Sequence, residues 1–226
     1  MSWFRSNQIN GSAGQRVAVE IFILRYDAVM HRTLVKSGIL LLALDFLVAG
    51  YKIRNIEIKP AGEYTSHQSL QNVVIGARAF DTEEEILSAF DTKKLYQKQI
   101  MPVLIVVENN NDFAIRLSGS DIYLSDAGVN RRSIPYAQVL LAIAKRKKSS
   151  YSPHEDVLLR DIKNKGMVAD FERKHFGEKL IAPYGGDFGI VFFELIQLND
   201  GARIYIPNIT NLETQQYLMF FDFDLS

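Results

Sequence analysis

The stretch that decides the fold is Met101–Gly128, MPVLIVVENNNDFAIRLSGSDIYLSDAG. Its first eight residues include a continuous apolar run, which is typical of a strand that is buried on both faces. The polar cluster Glu108–Asp112 predicts a turn, because Asn and Asp tolerate left-handed backbone and form local hydrogen bonds. Phe113–Leu117 then alternates apolar and polar residues, as a half-buried strand does. Short strands separated by turn residues at this spacing predict a sandwich or barrel.

Further strands are predicted on both sides of this stretch. Asp121–Leu124 and Arg132–Tyr136 are predicted to pair around Asp126-Ala127-Gly128. The remaining strand candidates share an alternating or continuous apolar pattern and are bounded by turn formers: Asn72–Phe80, Lys179–Ala182, Asp187–Leu195, Arg203–Ile206 and Gln215–Leu225, with Pro207-Asn208 as a turn.

Helix signals interrupt the strands at two places. Asp81 or Thr82 can cap a helix whose Glu84 or Glu85 occupies the capping-box position. A helical insertion is predicted over residues 136–176, with one helix over Tyr136–Lys148. A second helix should begin at Ser152-Pro153-His154-Glu155 and run toward Phe171, weakened at Gly166.

Two segments carry a resemblance to a protein family. The stretch quoted above and EKLIAPYGGDFGIVFFEL, residues 178–195, resemble uncharacterised bacterial extracytoplasmic, lipoprotein-like proteins with an immunoglobulin-like domain. The likeness covers about half of the chain. It implies a β-sandwich and an envelope location, and it carries over no catalytic residue.

The first fifty residues contain an export signal pattern. His31, Arg32 and Lys36 precede the apolar run Ile39–Ala49, which ends in small residues, so residues 30–50 are predicted to be a signal peptide or short membrane anchor. The run is too short for an ordinary membrane-spanning helix, and Asp45 interrupts it. Packing of residues 39–49 as a core helix is the alternative.

The end of that pattern resembles the lipobox of bacterial lipoproteins. Leu47-Val48-Ala49-Gly50 matches it, but Tyr51 stands where the lipid-bearing Cys would be, so the lipid has no thiol to attach to. Cleavage is predicted between Gly50 and Tyr51. Residues 1–29 are expected to be poorly ordered or a misassigned extension with Met30 as the true start, and residues 51–71 a tether or an irregular first strand.

Composition excludes several classes of function. The chain has 26 basic and 26 acidic residues, and this balance argues against a nucleic-acid partner. It has no Cys, which excludes disulfides, thiolate metal ligands and a Cys nucleophile.

Motifs for chemistry are weak. The four His residues are not spaced as zinc ligands, so no metal site is predicted. Gly185-Gly186 with Gly189 opens a strand and does not form a phosphate loop. Asp222 and Asp224 alternate with Phe221 and Phe223, and solvent-facing strand positions explain them better than a catalytic pair.

One basic cluster could contact an anionic surface. Lys145, Arg146, Lys147 and Lys148 end the first inserted helix, where they also suit the helix dipole. A solvated helix end is the preferred interpretation, and contact with anionic lipid or another envelope polyanion is the alternative.

These observations predict a mainly β fold: an immunoglobulin-like antiparallel β-sandwich with inserted helices over residues 72–226. The predicted function is that of a non-enzymatic envelope protein, without cofactor, that binds an envelope protein or polyanion and associates with the membrane through residues 39–50. Its expected binding surfaces are the Asn109–Asp112 turn, the hairpin around Gly128 and the helical insertion. The alternatives are a periplasmic hydrolase and a cytosolic interaction domain.

Overall fold

The computed structural model describes residues 51–144, 164–195 and 197–225. The predictions for residues 1–29 and 30–50, for Gly50 and for Lys145–Lys148 lie outside the described residues. The strands are β1 Ser66–Leu70, β2 Val73–Ala79, β3 Ile100–Asn109, β4 Ile115–Ser118, β5 Tyr123–Asp126, β6 Val129–Arg132, β7 Glu178–Ile181, β8 Gly186–Glu194, β9 Arg203–Asn211 and β10 Tyr217–Asp224. The α-helices are α1 Glu83–Ala89, α2 Lys94–Gln97, α3 Tyr136–Ile143 and α4 Lys165–Lys174, and Ala61–Glu63 and Gly119–Asp121 form 3-10 turns.

The first sheet has four antiparallel strands in the order β1-β2-β3-β8. Strand β3 lies inside it, and nine of its ten residues are buried. The predicted continuous apolar strand is therefore confirmed, because β3 is covered on both faces. Pro102 lies near the start of β3, within the pairing to β8.

The second sheet is built around the long strand β9. One edge of β9 pairs with β10, and its other edge pairs first with β5 and then with β4, all antiparallel. The hairpin partner of β5 is β6, and β7 pairs with the outer edge of β4.

The two sheets pack face to face, so the predicted β-sandwich is confirmed. The core between them comes from alternate residues of both sheets, including Ile105, Leu117, Ile204 and Phe221. Phe221, Phe223 and Leu225 are buried as their alternation predicts. At one edge the backbone N–H of Asp222 on β10 donates a hydrogen bond to Gln68 Oε1 on β1 at 3.0 Å, which joins the sheets.

Helices cover the outer face of the first sheet. Phe90, Phe171 and Phe192 pack together there, with ring centroids 4.5 to 5.8 Å apart. The capping prediction for α1 is confirmed, since Thr82 Oγ1 accepts a hydrogen bond from the Glu85 N–H at 3.2 Å. This second apolar core makes the domain three layers deep.

Residues 51–71 belong to the domain, which corrects the prediction of a tether and the domain boundary at residue 72. This segment contains the buried Ala61 and a regular strand β1, and Ile56 and Ile58 pack on the helix-covered core. Asp91 accepts hydrogen bonds from the Lys52 N–H and from Arg54, and these hydrogen bonds lower the pKa of Asp91. Polar composition alone had suggested a linker, whereas these contacts hold the segment in place.

Two strand boundaries differ from the sequence predictions for backbone reasons. Ala127 and Gly128 both have positive φ, 48° and 77°, so a tight two-residue turn brings β6 forward to Val129–Arg132. Pro207-Asn208 is not a turn but lies inside β9. Three residue steps on β9 there oppose two on β10, so the extra residue forms a bulge, and Asn208 has a φ of 62°.

In the described part of the second insertion, the helix begins at Lys165. Asn164 is its N-cap, with Oδ1 accepting a hydrogen bond from the Met167 N–H at 3.2 Å. The predicted weak point, Gly166, therefore lies in the first turn of α4. The predicted helix start at residues 152–155 lies outside the described residues.

A buried ion pair within α4 also binds the start of the described chain through the hydroxyl of Tyr51. Asp170 Oδ2 accepts hydrogen bonds from the Tyr51 hydroxyl at 2.6 Å and from Lys174 Nζ at 2.7 Å. Lys174 also donates to the Ala89 carbonyl at 2.7 Å, and its ammonium lies 4.9 Å from the ring centroid of Phe90. Burial and the Asp170 hydrogen bond raise the pKa of Tyr51, while burial lowers the pKa of Lys174 against the opposing effect of Asp170.

Replacing Gly119 by Ala should destabilise the domain by about 3 kcal/mol, because a Cβ there would overlap the backbone carbonyl of Phe176. Gly62 is the matched control: it also lies in a 3-10 turn, yet a Cβ there meets nothing within 4 Å. Urea unfolding of both variants measures the difference. Equal midpoints for Gly119→Ala and Gly62→Ala would contradict this close packing.

Lys174→Met should cost about 3 kcal/mol of unfolding free energy, because it leaves the carboxylate of Asp170 buried without its main cation. Arg173→Met removes a second cation from the same carboxylate, but the Arg173 side chain is 57% exposed and should cost less than about 1 kcal/mol. Chemical denaturation of the two variants makes the comparison. A loss as large for Arg173→Met would show that burial of Lys174 is not the decisive factor.

Candidate functional site

The candidate site is the outer face of the second sheet. Among the described residues, the helices pack on the first sheet, and this second outer face carries exposed aromatic side chains. We call it the aromatic face. Its members lie on β5, β6, β9 and β10: Tyr123, Ser125, Asn130, Arg203, Tyr205, Phe220, Asp222 and Asp224.

The pairing register arranges these residues in two rows across the sheet. In one row Tyr123 is opposite Tyr205, which is opposite Asp222. In the other row Ser125 is opposite Arg203, which is opposite Asp224, and Asn130 continues the row on β6. Directly opposite residues of antiparallel strands share a face, so each row is a continuous line of side chains.

The aromatic rings form a connected series. The ring centroids of Tyr123 and Tyr205 are 6.3 Å apart, and those of Tyr205 and Phe220 are 5.8 Å apart. The ring planes are inclined by 46° and 50°, within the tilted arrangements that aromatic pairs prefer. Tyr205 is 36% exposed and Phe220 is 58% exposed, so a ligand could reach both rings.

Beside the rings, Arg203 is held in one orientation by two carboxylates. Its Nε donates to Asp222 Oδ1 at 2.8 Å, its Nη1 donates to Asp224 Oδ1 at 2.6 Å and its Nη2 donates to the Asp222 carbonyl at 2.9 Å. These bonds use three of the five N–H groups of a guanidinium, which leaves two for a ligand as far as the described chain is concerned.

The charge balance of this group is negative. One guanidinium and two carboxylates make a net charge of −1, and the hydrogen bond and charge of Asp222 raise the pKa of Arg203 above its usual value. The site therefore has fixed donors and acceptors without an excess of positive charge.

Tyr123, Arg203 and Tyr205 line an open depression of about 430 Å³, together with Ser125, Asn130 and Asp222. That volume is within the usual range for small-molecule sites, roughly 300–1,000 Å³. The depression combines ring surfaces with hydroxyl, amide, carboxylate and guanidinium groups. It can accordingly bind a flat, partly apolar molecule that carries several hydrogen-bonding groups.

The predicted solvent-facing role of Asp222 and Asp224 is confirmed, because both carboxylates point outward and bind Arg203. A hydrolase site would need a His near this pair. Of the His residues within the described ranges, His67 contacts the Tyr64 carbonyl and His175 contacts the Glu172 carbonyl. The described residues contain no group of three or more His, Asp or Glu side chains that could hold a metal ion.

The Asn109–Asp112 turn, expected as a binding surface, is a structural junction. Asn109 is fully buried, and its Nδ2 donates to the carbonyls of Phe113 at 2.8 Å and Ala182 at 3.1 Å. Asn111 Nδ2 donates to the Gln71 carbonyl at 3.0 Å. This turn thus joins three loops at one end of the sandwich, because its amides satisfy their backbone carbonyls.

The other predicted site residues are not brought together. Tyr51 lies at the helical layer and donates a hydrogen bond to Asp170. Gly50, on the other side of the predicted cleavage junction, and the cluster Lys145–Lys148 are outside the described ranges. The described part of the helical insertion mainly covers the first sheet. Of the predicted surfaces, the hairpin around Gly128 adjoins the aromatic face, since β6 contributes Asn130.

Two further depressions do not combine exposed aromatic rings with a held guanidinium as the aromatic face does. One of about 390 Å³ is lined by four carboxylates, and Asp81 within it has a pKa raised by burial and by nearby Glu85. The other, of about 280 Å³, lies at the edge of β8, where the ring centroids of Tyr136 and His175 are 4.3 Å apart and the rings are tilted by 32°. His175 Nδ1 contacts a carbonyl, so it carries the proton.

The aromatic face was missed at the sequence level, although alternation signals parts of it. Ile204 and Ile206 point inward, so Arg203 and Tyr205 must point outward together. The same rule places Asp222 and Asp224 on the outer face of β10, because Phe221 and Phe223 occupy its inner face. The sequence does not show that β5, β9 and β10 are neighbours, and this adjacency is what assembles the site.

The chain matches no protein-family model and none of the curated proteins with which it was compared. Among solved structures it is similar to the crystal structure of the yjhA protein from Bacillus subtilis, with a TM-score of 0.39 and 8% sequence identity. The similarity covers 72% of this chain and 98% of that one.

Proposed function

We propose that this chain is a non-enzymatic binding module of the bacterial cell envelope and that it binds its partner through the aromatic face. The observation that carries the proposal is the connected series Tyr123, Tyr205 and Phe220 on an outer sheet surface. Binding surfaces are enriched in Tyr, Phe and Arg relative to the rest of a protein surface. The face has all three residue types side by side.

The rigidity of the face supports a role in recognition. Its side chains project from paired strands, and Arg203 is restrained by three hydrogen bonds. A preorganised surface loses less conformational entropy when a ligand binds, so more of the contact energy appears as affinity. Contiguous exposed apolar surface is typical of interaction sites, and the rings of Tyr205 and Phe220 lie side by side on this face.

The envelope location is supported by the sequence alone. Residues 30–50 have the pattern of a signal peptide or short anchor, and two segments resemble extracytoplasmic lipoprotein-like proteins. Among the residues described, no helix combines the length and apolar character needed to cross a bilayer. Tyr51 is held on the domain by Asp170, so a segment removed before Tyr51 would leave this contact intact.

That the sandwich is of the immunoglobulin-like type is a further proposal. Two antiparallel sheets packed face to face are common to that fold and to this one. The adjacent strands β1, β2 and β3 follow one another in a single sheet, whereas immunoglobulin domains place their second and third strands in different sheets. The strand order therefore supports the sandwich more strongly than the immunoglobulin-like type.

Two other functions remain as alternatives. A periplasmic hydrolase would need a reactive group beside Asp222 and Asp224, and the hydrogen bonds of these carboxylates to Arg203 favour a structural use instead. A cytosolic interaction domain would use the same aromatic face, with residues 39–49 packed as a core helix. Location therefore separates it from the envelope proposal.

N-terminal sequencing of the mature protein from fractionated cells tests the location. We expect a chain that begins at Tyr51 in the periplasm, or one retained in the membrane fraction through residues 39–50. A chain with an intact N-terminus in the cytosol would refute export and favour the cytosolic alternative.

Binding of the purified full chain to isolated bacterial envelopes tests the face. We expect Tyr205→Ala to weaken co-sedimentation roughly thirty-fold, the effect of losing about 2 kcal/mol at a central aromatic contact. Tyr184→Ala is the control, because Tyr184 is 75% exposed and lies outside the aromatic face. Unchanged thermal unfolding would show that both variants are folded, and equal binding by both would contradict the proposal.

A further inference from the structure

We infer that the ligand of the aromatic face is a neutral saccharide chain. This inference rests on the proposed function and specifies the chemical class that the same face would bind. A sugar ring has an apolar C–H surface and a rim of hydroxyl groups, each both donor and acceptor. The face presents the two complementary features side by side.

The connected series of aromatic rings supplies apolar contact. Tyr123, Tyr205 and Phe220 form a series in which neighbouring ring centroids are 6.3 and 5.8 Å apart. Aromatic side chains bring a large contact area with few rotatable bonds, so they lose little entropy on binding. Consecutive sugar units can therefore contact consecutive rings.

The polar side chains beside the rings supply hydrogen-bond donors and acceptors. Arg203 offers N–H donors, Asp222 and Asp224 offer acceptors, and Ser125 and Asn130 offer both. Because Arg203 is already bound to the two carboxylates, its remaining donors have a defined direction. Hydroxyl rims need such a mixture of donors and acceptors, whereas a phosphate group needs donors alone.

Charge argues against a polyanion at this face. The group Arg203, Asp222 and Asp224 is net negative, and the nearby Arg132 is bound to Asp121 at 2.9 Å. Recognition of anionic lipid or phosphate polymers depends on an excess of Lys and Arg. A neutral ligand avoids repulsion by the two carboxylates and still uses the hydrogen bonds of the Arg203 guanidinium.

The inclination of the rings further restricts the type of saccharide that fits the face. Neighbouring ring planes differ by 46° and 50°, so the series is twisted and does not form one flat surface. A flat crystalline polysaccharide could contact one ring at a time, whereas a single soluble chain can follow the twist. The depression of about 430 Å³ is open to solvent, so a chain can lie across it.

Affinity electrophoresis of the purified full chain in gels containing soluble neutral polysaccharides tests this inference. The probes are a soluble α-1,4-glucan, β-1,3-glucan, β-1,4-glucan and mannan, with heparin as the polyanion. At least one neutral polymer should retard the protein. Tyr205→Ala should weaken that binding at least ten-fold and Arg203→Lys, which keeps the charge but loses the planar fork, at least five-fold, while Tyr184→Ala binds as the wild type does.

The outcomes separate the inference from the proposed function. If no neutral polymer binds, or if only heparin does, the saccharide inference is wrong, and Tyr205-dependent binding to isolated envelopes would still uphold the binding module. Sedimentation that shows a dimer lost in Tyr205→Ala would also overturn the inference, because a second copy would then occupy the face. If Tyr205→Ala changes neither saccharide nor envelope binding, both proposals fail.

Discussion

The constraint on which the rest of the structure depends is the burial of strand β3 on both faces. Val103, Ile105 and Val107 face the second sheet, and Leu104 and Val106 face the helical layer. A strand with this composition loses stability if either side meets water, because each buried aliphatic side chain contributes roughly 1.5–3 kcal/mol. Two separate elements must therefore cover the first sheet.

The covering elements come from distant parts of the chain, and polar contacts fix their positions. Tyr51 at the start of the described chain and Lys174 at the end of α4 meet on the carboxylate of Asp170. Burying an ion pair adds little net stability on average, but removing one partner is costly. The contact consequently specifies one position for the N-terminal segment on the helices, which purely apolar packing would specify less sharply.

Local signals in the sequence were sufficient for the elements and insufficient for their assembly. The apolar run of β3 and the cap of α1 at Thr82 depend on neighbouring residues, and both were predicted correctly. The tether over residues 51–71 was wrong because its contacts to Asp91 and Asp170 are long-range. The bulge at Asn208 was read as a turn, since the same residue types tolerate left-handed backbone in both.

The candidate site was likewise predictable in its local pattern but not in its assembly. Alternation shows that Tyr205 points outward, but it does not identify the neighbours of Tyr205 in the sheet. That information lies in the register of β9 with β5 and β10. Phe220 directly precedes the buried Phe221, so alternation along β10 turns Phe220 to the same outer face as Asp222.

The three-layer order also separates Tyr51 from the aromatic face. Tyr51 joins the domain at the helical layer, while the aromatic face lies on the outer side of the second sheet, with the sandwich core between them. Tyr51 and the aromatic rings therefore lie on opposite sides of the sandwich core. Binding at Tyr205 and Phe220 therefore leaves the hydrogen bond between Tyr51 and Asp170 undisturbed.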